Sequence, residues 1–301
     1  MLSSRRRWLA DSFLLTGGAG ALRAGQSALD RLGVACQLGA AETQARTVLA
    51  AARAAGFRTA QIQFAWNAVS AGFLKGLPGW LRAEDLRAAV LGAYVNCCDP
   101  ETVIMACRRD DFARALDYAA DLDCPRLAAW TGGFGADLMK SDQRNFTPQA
   151  ADRIVRFLEP FLLRLEQAGL TLALESYITL ACPDAGSLRA LLDRLPKCIG
   201  AVLDPPNLTP IARFGSRDQV LHEMVRLLRN RVAVVHLKDF RLAPGGASYQ
   251  LPGPLDGEMN YPQYVREILA LPGAPPIIAE HIGPAEFAGT RKRLVQLFQR
   301  S

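Results

Sequence analysis

Four side chains of the types that bind metal ions stand directly after four apolar runs in the second half of the chain. The runs end in Thr-Leu-Ala-Leu-Glu175, Gly-Ala-Val-Leu-Asp204, Val-Ala-Val-Val-His236 and Ile-Ile-Ala-Glu280. Three carboxylates directed at one point repel one another unless a cation lies between them. Three carboxylates and one imidazole form a hard donor set that suits Mn²⁺ best, with Mg²⁺, Co²⁺ or Zn²⁺ as alternatives. We therefore predict that these four residues hold one divalent metal ion.

The elements that must bring these residues together follow from the alternation of short apolar runs with longer amphipathic stretches. The runs are continuous, as expected for parallel strands buried on both faces. Strands are predicted at residues 32–38, 59–64, 90–95, 126–130, 170–175, 199–203, 232–237 and 276–280. Helices are predicted at residues 42–55, 83–89, 110–122, 148–167, 185–195, 217–229, 261–271 and 284–299, with a glycine-rich loop before the second.

Eight β–α units in one chain predict a (β/α)8 TIM barrel, an α/β fold with a single catalytic domain at residues 31–301. No G-x-G-x-x-G follows the first strand, which argues against a dinucleotide-binding fold. Active sites of such barrels lie at the carboxyl ends of the strands. The barrel therefore predicts that the four strand ends meet at one mouth.

Residues 1–30 carry a candidate export signal. Ser4 to Leu9 read Ser-Arg-Arg-Arg-Trp-Leu, similar to the twin-arginine signature, and a weakly apolar stretch from Phe13 to Leu22 follows. We expect a periplasmic or otherwise exported protein, with a basic, disordered N-terminus on a cytoplasmic protein as the alternative. The stretch is too short to span a bilayer, and we expect no membrane span.

Composition and charge narrow the class of protein. The net charge is +6, without a long basic run, so we expect no nucleic-acid partner. The seven cysteines form no C-x-x-C pair, and a disulfide framework is not expected in a chain of this length. A small molecule is the expected partner, and a homo-oligomer is compatible with the sequence.

The segments LALES, VLDPPN, VVHLKD and IIAEH resemble those of the xylose isomerase-like sugar phosphate isomerase/epimerase superfamily. The likeness covers about residues 32–300. It implies a metal-dependent enzyme in which Glu175 and Glu280 are metal ligands that also act as acid and base, while Asp204 and His236 are ligands. The expected substrate is a sugar or polyol ketone.

The resemblance also has departures, and these bear on the substrate. The ketose epimerases have a substrate-binding His where this chain has Asn207. Arg241 matches a common family Arg, and the segment from His236 to Arg241 is also similar to inosose dehydratase. We expect Asn207, Lys238 and Arg241 to bind substrate. Two tryptophans are expected to line the pocket as well, Trp66 and Trp130.

The expected chemistry is proton transfer through an enediolate. A metal bound to the carbonyl and the adjacent hydroxyl of a hydroxy-ketone acidifies the neighbouring C–H bond. One carboxylate removes the proton, and its return gives an epimer or an aldose–ketose isomer, whereas loss of a hydroxyl gives a dehydratase. An isomerase or epimerase is the main prediction. The alternatives are an inosose dehydratase-like lyase and a non-catalytic sugar-binding barrel, and we expect the substrate to be unphosphorylated.

Overall fold

Eight parallel strands close into a barrel in the computed structural model, which describes residues 28–103, 106–135, 137 and 140–300. The closed order β1-β10-β7-β6-β5-β4-β3-β2 confirms the predicted (β/α)8 TIM barrel, and a two-stranded hairpin, β8–β9, lies outside it. The strands are β1 (Leu32–Gln37), β2 (Thr59–Gln63), β3 (Arg87–Asn96), β4 (Arg126–Trp130), β5 (Thr171–Glu175), β6 (Ile199–Leu203), β7 (Val232–Leu237), β8 (Arg241–Leu242), β9 (Tyr249–Gln250) and β10 (Ile277–Ala279).

Helices surround the barrel and cover the outer faces of its strands. In α4, Ile154, Phe157, Phe161 and Leu165 form a buried face at helical spacing, while polar residues face outward. Pro148 occupies the first turn of that helix, where its missing N–H costs nothing. The helices are α1 (Glu42–Ala54), α2 (Ala71–Ala83), α3 (Arg109–Asp121), α4 (Pro148–Gln167), α5 (Ala185–Asp193), α6 (Pro205–Leu208), α7 (Arg217–Leu228), α8 (Tyr261–Leu269) and α9 (Phe287–Phe298).

The glycine-rich segment that was predicted to be a loop forms helix α2 (Ala71–Ala83). The prediction of a helix at residues 83–89 is wrong, since β3 begins at Arg87. Ser70 caps α2 by accepting a hydrogen bond from the Phe73 amide at 3.1 Å, and apolar residues every fourth position form its buried face. Pro78 lacks the N–H that would bond to Leu74 O. The hydroxyl of Tyr118 donates to that carbonyl instead, at 2.5 Å, so the helix continues through the proline.

The interior of the barrel is filled by small and branched side chains. A buried cluster joins residues of β3, β4, β5, β6, β7 and β10, which only the barrel interior brings together. Four of its members are Ala173, Val202, Val234 and Ile278. Successive side chains of a strand alternate between its two faces, so the residue two positions later also points inward.

The predicted export signal at residues 1–30 falls almost wholly on residues 1–27, which lie outside the described residues. Among the helices that the structure describes, none has the length and apolarity needed to cross a membrane.

Candidate metal centre

The four predicted ligands form the next inward-facing layer of the barrel, at its C-terminal mouth. Glu175, Asp204, His236 and Glu280 lie two positions after the four interior residues named above, in or directly after the adjacent strands β5, β6, β7 and β10. All four are buried, with Glu280 the most exposed at 8%. Strand periodicity and barrel closure together therefore bring them to one point.

The ligand atoms converge as a divalent ion requires. One atom from each of the four residues lies within 4.8 Å of the others. The Nδ1 atom of His236 is 3.3 Å from Glu280 Oε1, 3.5 Å from Asp204 Oδ2 and 3.7 Å from Glu175 Oε2. These three oxygens and one nitrogen form the hard donor set of Mg²⁺ and Mn²⁺ sites.

Unsatisfied hydrogen-bonding groups support the fit of a metal ion. Buried polar atoms nearly always have hydrogen-bond partners, yet His236 Nδ1 has none, and Asp204 Oδ2 and Glu280 Oε1 have only an ion pair with Lys238 Nζ. The other ring nitrogen, Nε2 of His236, lies 3.1 Å from Gln61 Oε1, which can only accept a hydrogen bond. The proton therefore belongs on Nε2, which directs the Nδ1 lone pair toward the carboxylates.

Gln61 and Tyr94 form a hydrogen-bonded chain that connects His236 to Glu175. Gln61 Nε2 donates to the Tyr94 hydroxyl at 3.0 Å, and that hydroxyl donates to Glu175 Oε2 at 2.9 Å. Asn207 Nδ2 donates to the other oxygen, Oε1, at 2.9 Å. Both oxygens of Glu175 are thus fixed in direction. Sequence reasoning missed Gln61 and Tyr94, although a glutamine inside a buried strand was a visible signal.

We expect Tyr94→Phe to weaken metal binding about 10- to 100-fold, the usual effect of losing a supporting hydrogen bond around a metal ligand. The change leaves Glu175 Oε2 and Gln61 Nε2 without their partner, so both ligands lose their orientation. Metal affinity by titration calorimetry measures the effect. Tyr118→Phe is the matched control, because its hydroxyl bonds Leu74 O away from the mouth. Equal affinities in the two variants would contradict the proposed support.

Lys238 lies buried at the same mouth. Its Nζ is 2.7 Å from Asp204 Oδ2 and 2.8 Å from Glu280 Oε1. Burial opposes the charge on Lys238, but the carboxylates of Asp204, Glu280 and Glu175 outweigh it and raise the pKa of the ammonium. Burial also opposes ionisation of Glu280, yet His236 and Lys238 hold its pKa well below the ordinary value. The three carboxylates at the mouth therefore stabilise positive charge, as a site for a divalent cation requires.

Metal affinity is expected to rise with pH. Burial disfavours a charged His236, but Glu280 and Glu175 outweigh it and raise the pKa of the imidazole well above its ordinary value. A metal ligand must be deprotonated, so the ion displaces a proton from Nδ1 and binds more weakly as pH falls. One displaced proton corresponds to about tenfold in affinity per pH unit below that pKa. Calorimetry in buffers of different ionisation enthalpy counts the protons released. A constant affinity between pH 6 and 8 would contradict this expectation.

A cavity of about 400 Å³ opens above the metal centre, and both glutamates line it. Lys238, Tyr94 and Trp130 contribute further walls. The rings of Tyr94 and Trp130 lie 5.3 Å apart with a 43° tilt. The cavity is large enough for a monosaccharide and combines an aromatic wall with a few charged groups, as small-molecule sites commonly do.

The other predicted substrate-binding residues differ in their placement. Trp66 is buried, and its Nε1 donates to Gly92 O at 2.8 Å at the edge of a smaller adjoining hollow. Asn207 is beside the site, but its amide is bonded to Glu175. Arg241 is exposed on hairpin β8–β9, where its Nε donates to Gln250 Oε1 at 2.8 Å. Arg241 is not among the residues that line the cavity, so substrate binding by this residue stays a prediction.

Helix α8 holds the backbone at the ends of β6 and β7. The Tyr264 hydroxyl is 3.1 Å from Leu203 O and 3.0 Å from His236 O, and the two carbonyls share its single proton. Tyr261 donates to Lys238 O at 2.9 Å. The strand ends that carry two ligands are therefore attached to a rigid support.

Comparisons with known proteins agree with this geometry. No curated protein sequence matches the chain. Among solved structures, an L-ribulose 3-epimerase has a TM-score of 0.66 at 14% identity, covering 89% of this chain and 94% of that one. The 3-keto-D-glucoside 4-epimerase of E. coli has a TM-score of 0.62 at 13% identity, covering 89% and 99%. A Mycobacterium smegmatis xylose isomerase-like TIM barrel protein in complex with magnesium has a TM-score of 0.63 at 17% identity, covering 85% and 88%.

These likenesses in fold are accompanied by a match to a family model. The model of the family described as xylose isomerase-like TIM barrel matches residues 49–296. That range includes all four residues of the candidate metal centre and seven of the eight barrel strands. The chain therefore belongs to the xylose isomerase-like TIM barrel family.

Proposed function

We propose that this protein is a metal-dependent sugar isomerase or epimerase that moves a proton on a hydroxy-ketone. One observation carries the proposal: Glu175, Asp204, His236 and Glu280 converge at the barrel mouth, and the two glutamates also line the cavity above. A ligand set without access to the cavity would serve structure alone. Carboxylates that border the cavity are within reach of a bound substrate and can exchange protons with it.

The two glutamates and the metal ion have different roles in the proposed proton transfer. Glu280 is held as a carboxylate by His236 and Lys238, so it is available to accept a proton from carbon. Glu175 comes from β5, with β6 and β7 between it and β10, and its carboxylate is oriented by Tyr94 and Asn207. The metal ion, when bound, supplies stabilisation of the negative charge that develops on the substrate oxygens.

The names of relatives in fold support this choice of reaction. Two of them are a ketose 3-epimerase and a keto-glucoside 4-epimerase, and both names describe inversion beside a carbonyl. The relative in complex with magnesium supports a hard divalent ion. Mn²⁺ remains our proposal for the ion, since a set of three carboxylates and one imidazole suits it.

Dehydration is a second candidate that Lys238 favours. Loss of a hydroxyl as water needs a proton donor at the leaving oxygen, and an ammonium at the cavity wall provides one. Lys238 lies 2.8 Å from Glu280 Oε1, so an acid and a base stand side by side. A lyase of this kind would remove a proton with Glu280 and pass one from Lys238 to the leaving hydroxyl.

Incubation of the metal-reconstituted protein with free ketoses, inososes and hydroxypyruvate in D₂O tests both candidates. NMR is expected to detect deuterium at a carbon next to the carbonyl, with an epimer or isomer as product. Water loss without label in recovered substrate would favour the lyase. If a sugar binds but neither deuterium label nor product forms, the protein would be a non-catalytic sugar-binding barrel.

We also propose that the substrate is unphosphorylated and that the protein acts outside the cytoplasm. The candidate export signal supports the location. After β10, the Gly283 amide is bonded to the Glu286 carboxylate at 2.7 Å, which puts a negative charge where barrels commonly bind phosphate. Lys238 is paired with two carboxylates, and Arg241 is on the hairpin. Comparison of kcat/KM for a sugar and its phosphate ester tests the proposal, and a strong preference for the ester would contradict it.

A further inference from the structure

A basic groove crosses the face of the barrel opposite the metal centre, where the strands begin. It consists of two adjoining hollows of about 880 and 370 Å³ that share Thr59 and Arg87. Seven arginines and three aspartates line it. We call it the basal groove and define it by six of these arginines: Arg31, Arg53, Arg58, Arg82, Arg87 and Arg291.

The groove concentrates the positive charge of the barrel. Residues 1–27 contribute four arginines and one aspartate to the net charge of +6, so residues 28–301 carry +3. The groove alone has an excess of four positive charges, and the remainder of the barrel is therefore slightly negative. A concave surface that gathers one sign of charge raises the local concentration of ions of the other sign.

The aspartates of the groove leave much of this charge unmatched. Asp85 pairs with Arg58 and lies 3.9 Å from Arg53. Arg82 forms no ion pair with any residue in the described part of the chain, and Arg87 donates only a long 3.4 Å hydrogen bond to Thr59 Oγ1. Both of these side chains are exposed at the groove. Their guanidinium groups are free to bind a ligand.

Arg31 supplies an independent indication of a ligand. This residue is only 7% exposed, its Nε has no hydrogen-bond partner among the residues that the structure describes, and its NH1 reaches Pro275 O only at 3.5 Å. Burial lowers the pKa of this guanidinium, and no carboxylate among the described residues forms an ion pair with it. An anion in the groove would provide that partner.

The lining restricts the class of anion. Arginine presents a planar fork of donors that binds two oxygens of a phosphoryl or carboxylate group. No aromatic side chain lines the two hollows, so a nucleobase finds no stacking surface among the described residues. Arg53 and Arg82 also lie in the last turns of α1 and α2, where cations stabilise helix ends. Arg58 directly precedes β2 and Arg87 is the first residue of β3, so these two lack that role.

We propose that the basal groove binds a compact multivalent oxyanion, such as a diphosphate. The site is separate from the substrate cavity, since the groove lies at the amino ends of the strands and the cavity at their carboxyl ends. Binding there is expected to stabilise the fold by bridging β1, β2 and β3 at their first residues.

Titration of the full-length, metal-loaded protein with inorganic pyrophosphate at constant ionic strength tests this proposal, with citrate in a second arm to separate phosphoryl from carboxylate recognition. We expect saturable binding and a raised Tm. Loss of two guanidinium contacts in Arg82→Ala/Arg87→Ala is expected to reduce affinity at least about tenfold. Arg156→Ala/Arg266→Ala removes two exposed arginines outside the groove and is expected to bind as the unmodified protein does.

Several outcomes would overturn the proposal. The first is the absence of saturable binding, and the second is equal affinity in the two double variants. The third is a loss of affinity in Lys238→Met while Arg82→Ala/Arg87→Ala binds normally, since this result would locate the anion at the mouth. Pyrophosphate that only withdrew the metal would lower Tm and reduce metal content. If Arg82→Ala/Arg87→Ala does not fold, Arg82→Glu replaces it as the test. This single change reverses one charge at an exposed position and is by itself expected to weaken pyrophosphate binding.

Discussion

Glu280→Gln and Glu175→Gln are each expected to reduce proton exchange by about 10²- to 10⁴-fold, the usual contribution of a general acid or base. The amide keeps the shape of the side chain and one oxygen that can bind metal, but it cannot accept a proton. Solvent deuterium uptake into the substrate measures the loss. Metal content and Tm measured on the same samples distinguish a lost base from a lost metal ion.

Glu159→Gln is the matched control, because Glu159 is an exposed glutamate on α4, away from the mouth. We expect it to exchange at the normal rate. Full exchange in either active-site variant would remove that glutamate from the acid/base role. A loss in Glu280→Gln alone would assign both proton steps to one carboxylate, as in an isomerase.

Asp204→Ala and His236→Ala are expected to remove the metal, from about one ion per chain in the reconstituted protein to none after dialysis. Each change deletes one donor of the set, and Asp204→Ala also leaves Lys238 with one fewer carboxylate. Breaking a buried ion pair commonly costs about 3–5 kcal/mol, so Tm is measured beside metal content. Asp204→Asn preserves the volume if the alanine variant does not fold.

Asp256→Ala is the control for this pair, since Asp256 forms a surface ion pair with Arg293 at 2.7 Å. We expect it to keep its metal and to lose little stability, as surface pairs contribute about 0–1 kcal/mol. The absence of bound metal in the reconstituted unmodified protein would show that the metal-site hypothesis itself is wrong.

The strand ends were predictable because two simple periodicities determine them. A parallel strand buried on both faces reads as an apolar run, and a polar residue directly after it must lie at the mouth. This argument located Glu280 even though β10 has only three residues. The predicted β6 and β7 agree with the structure at both ends, and α4 begins at Pro148 as expected.

Other features depend on contacts that the sequence does not display. Gly72, Gly76 and Pro78 favour a loop by composition, whereas Ser70 and the spacing of Phe73 favour the helix that forms. Arg241 is five residues from His236 along the chain, but the chain reverses at Gly245 and Gly246, both with positive φ, and forms the hairpin. The support of Glu175 by Tyr94 is a contact across 81 residues, which no local pattern predicts.

The confinement of all four candidate metal ligands to the ends of β5, β6, β7 and β10 has an evolutionary consequence. Strands β1, β2, β3 and β4 supply walls of the cavity through Gln37, Gln63, Tyr94 and Trp130, but among the described residues they supply no ligand. Substitution of Gln37, Gln63 or Trp130 would therefore alter which molecule fits while the four candidate ligands are retained. Gene duplicates can therefore acquire new substrates through changes in this wall without first losing the candidate ligand set.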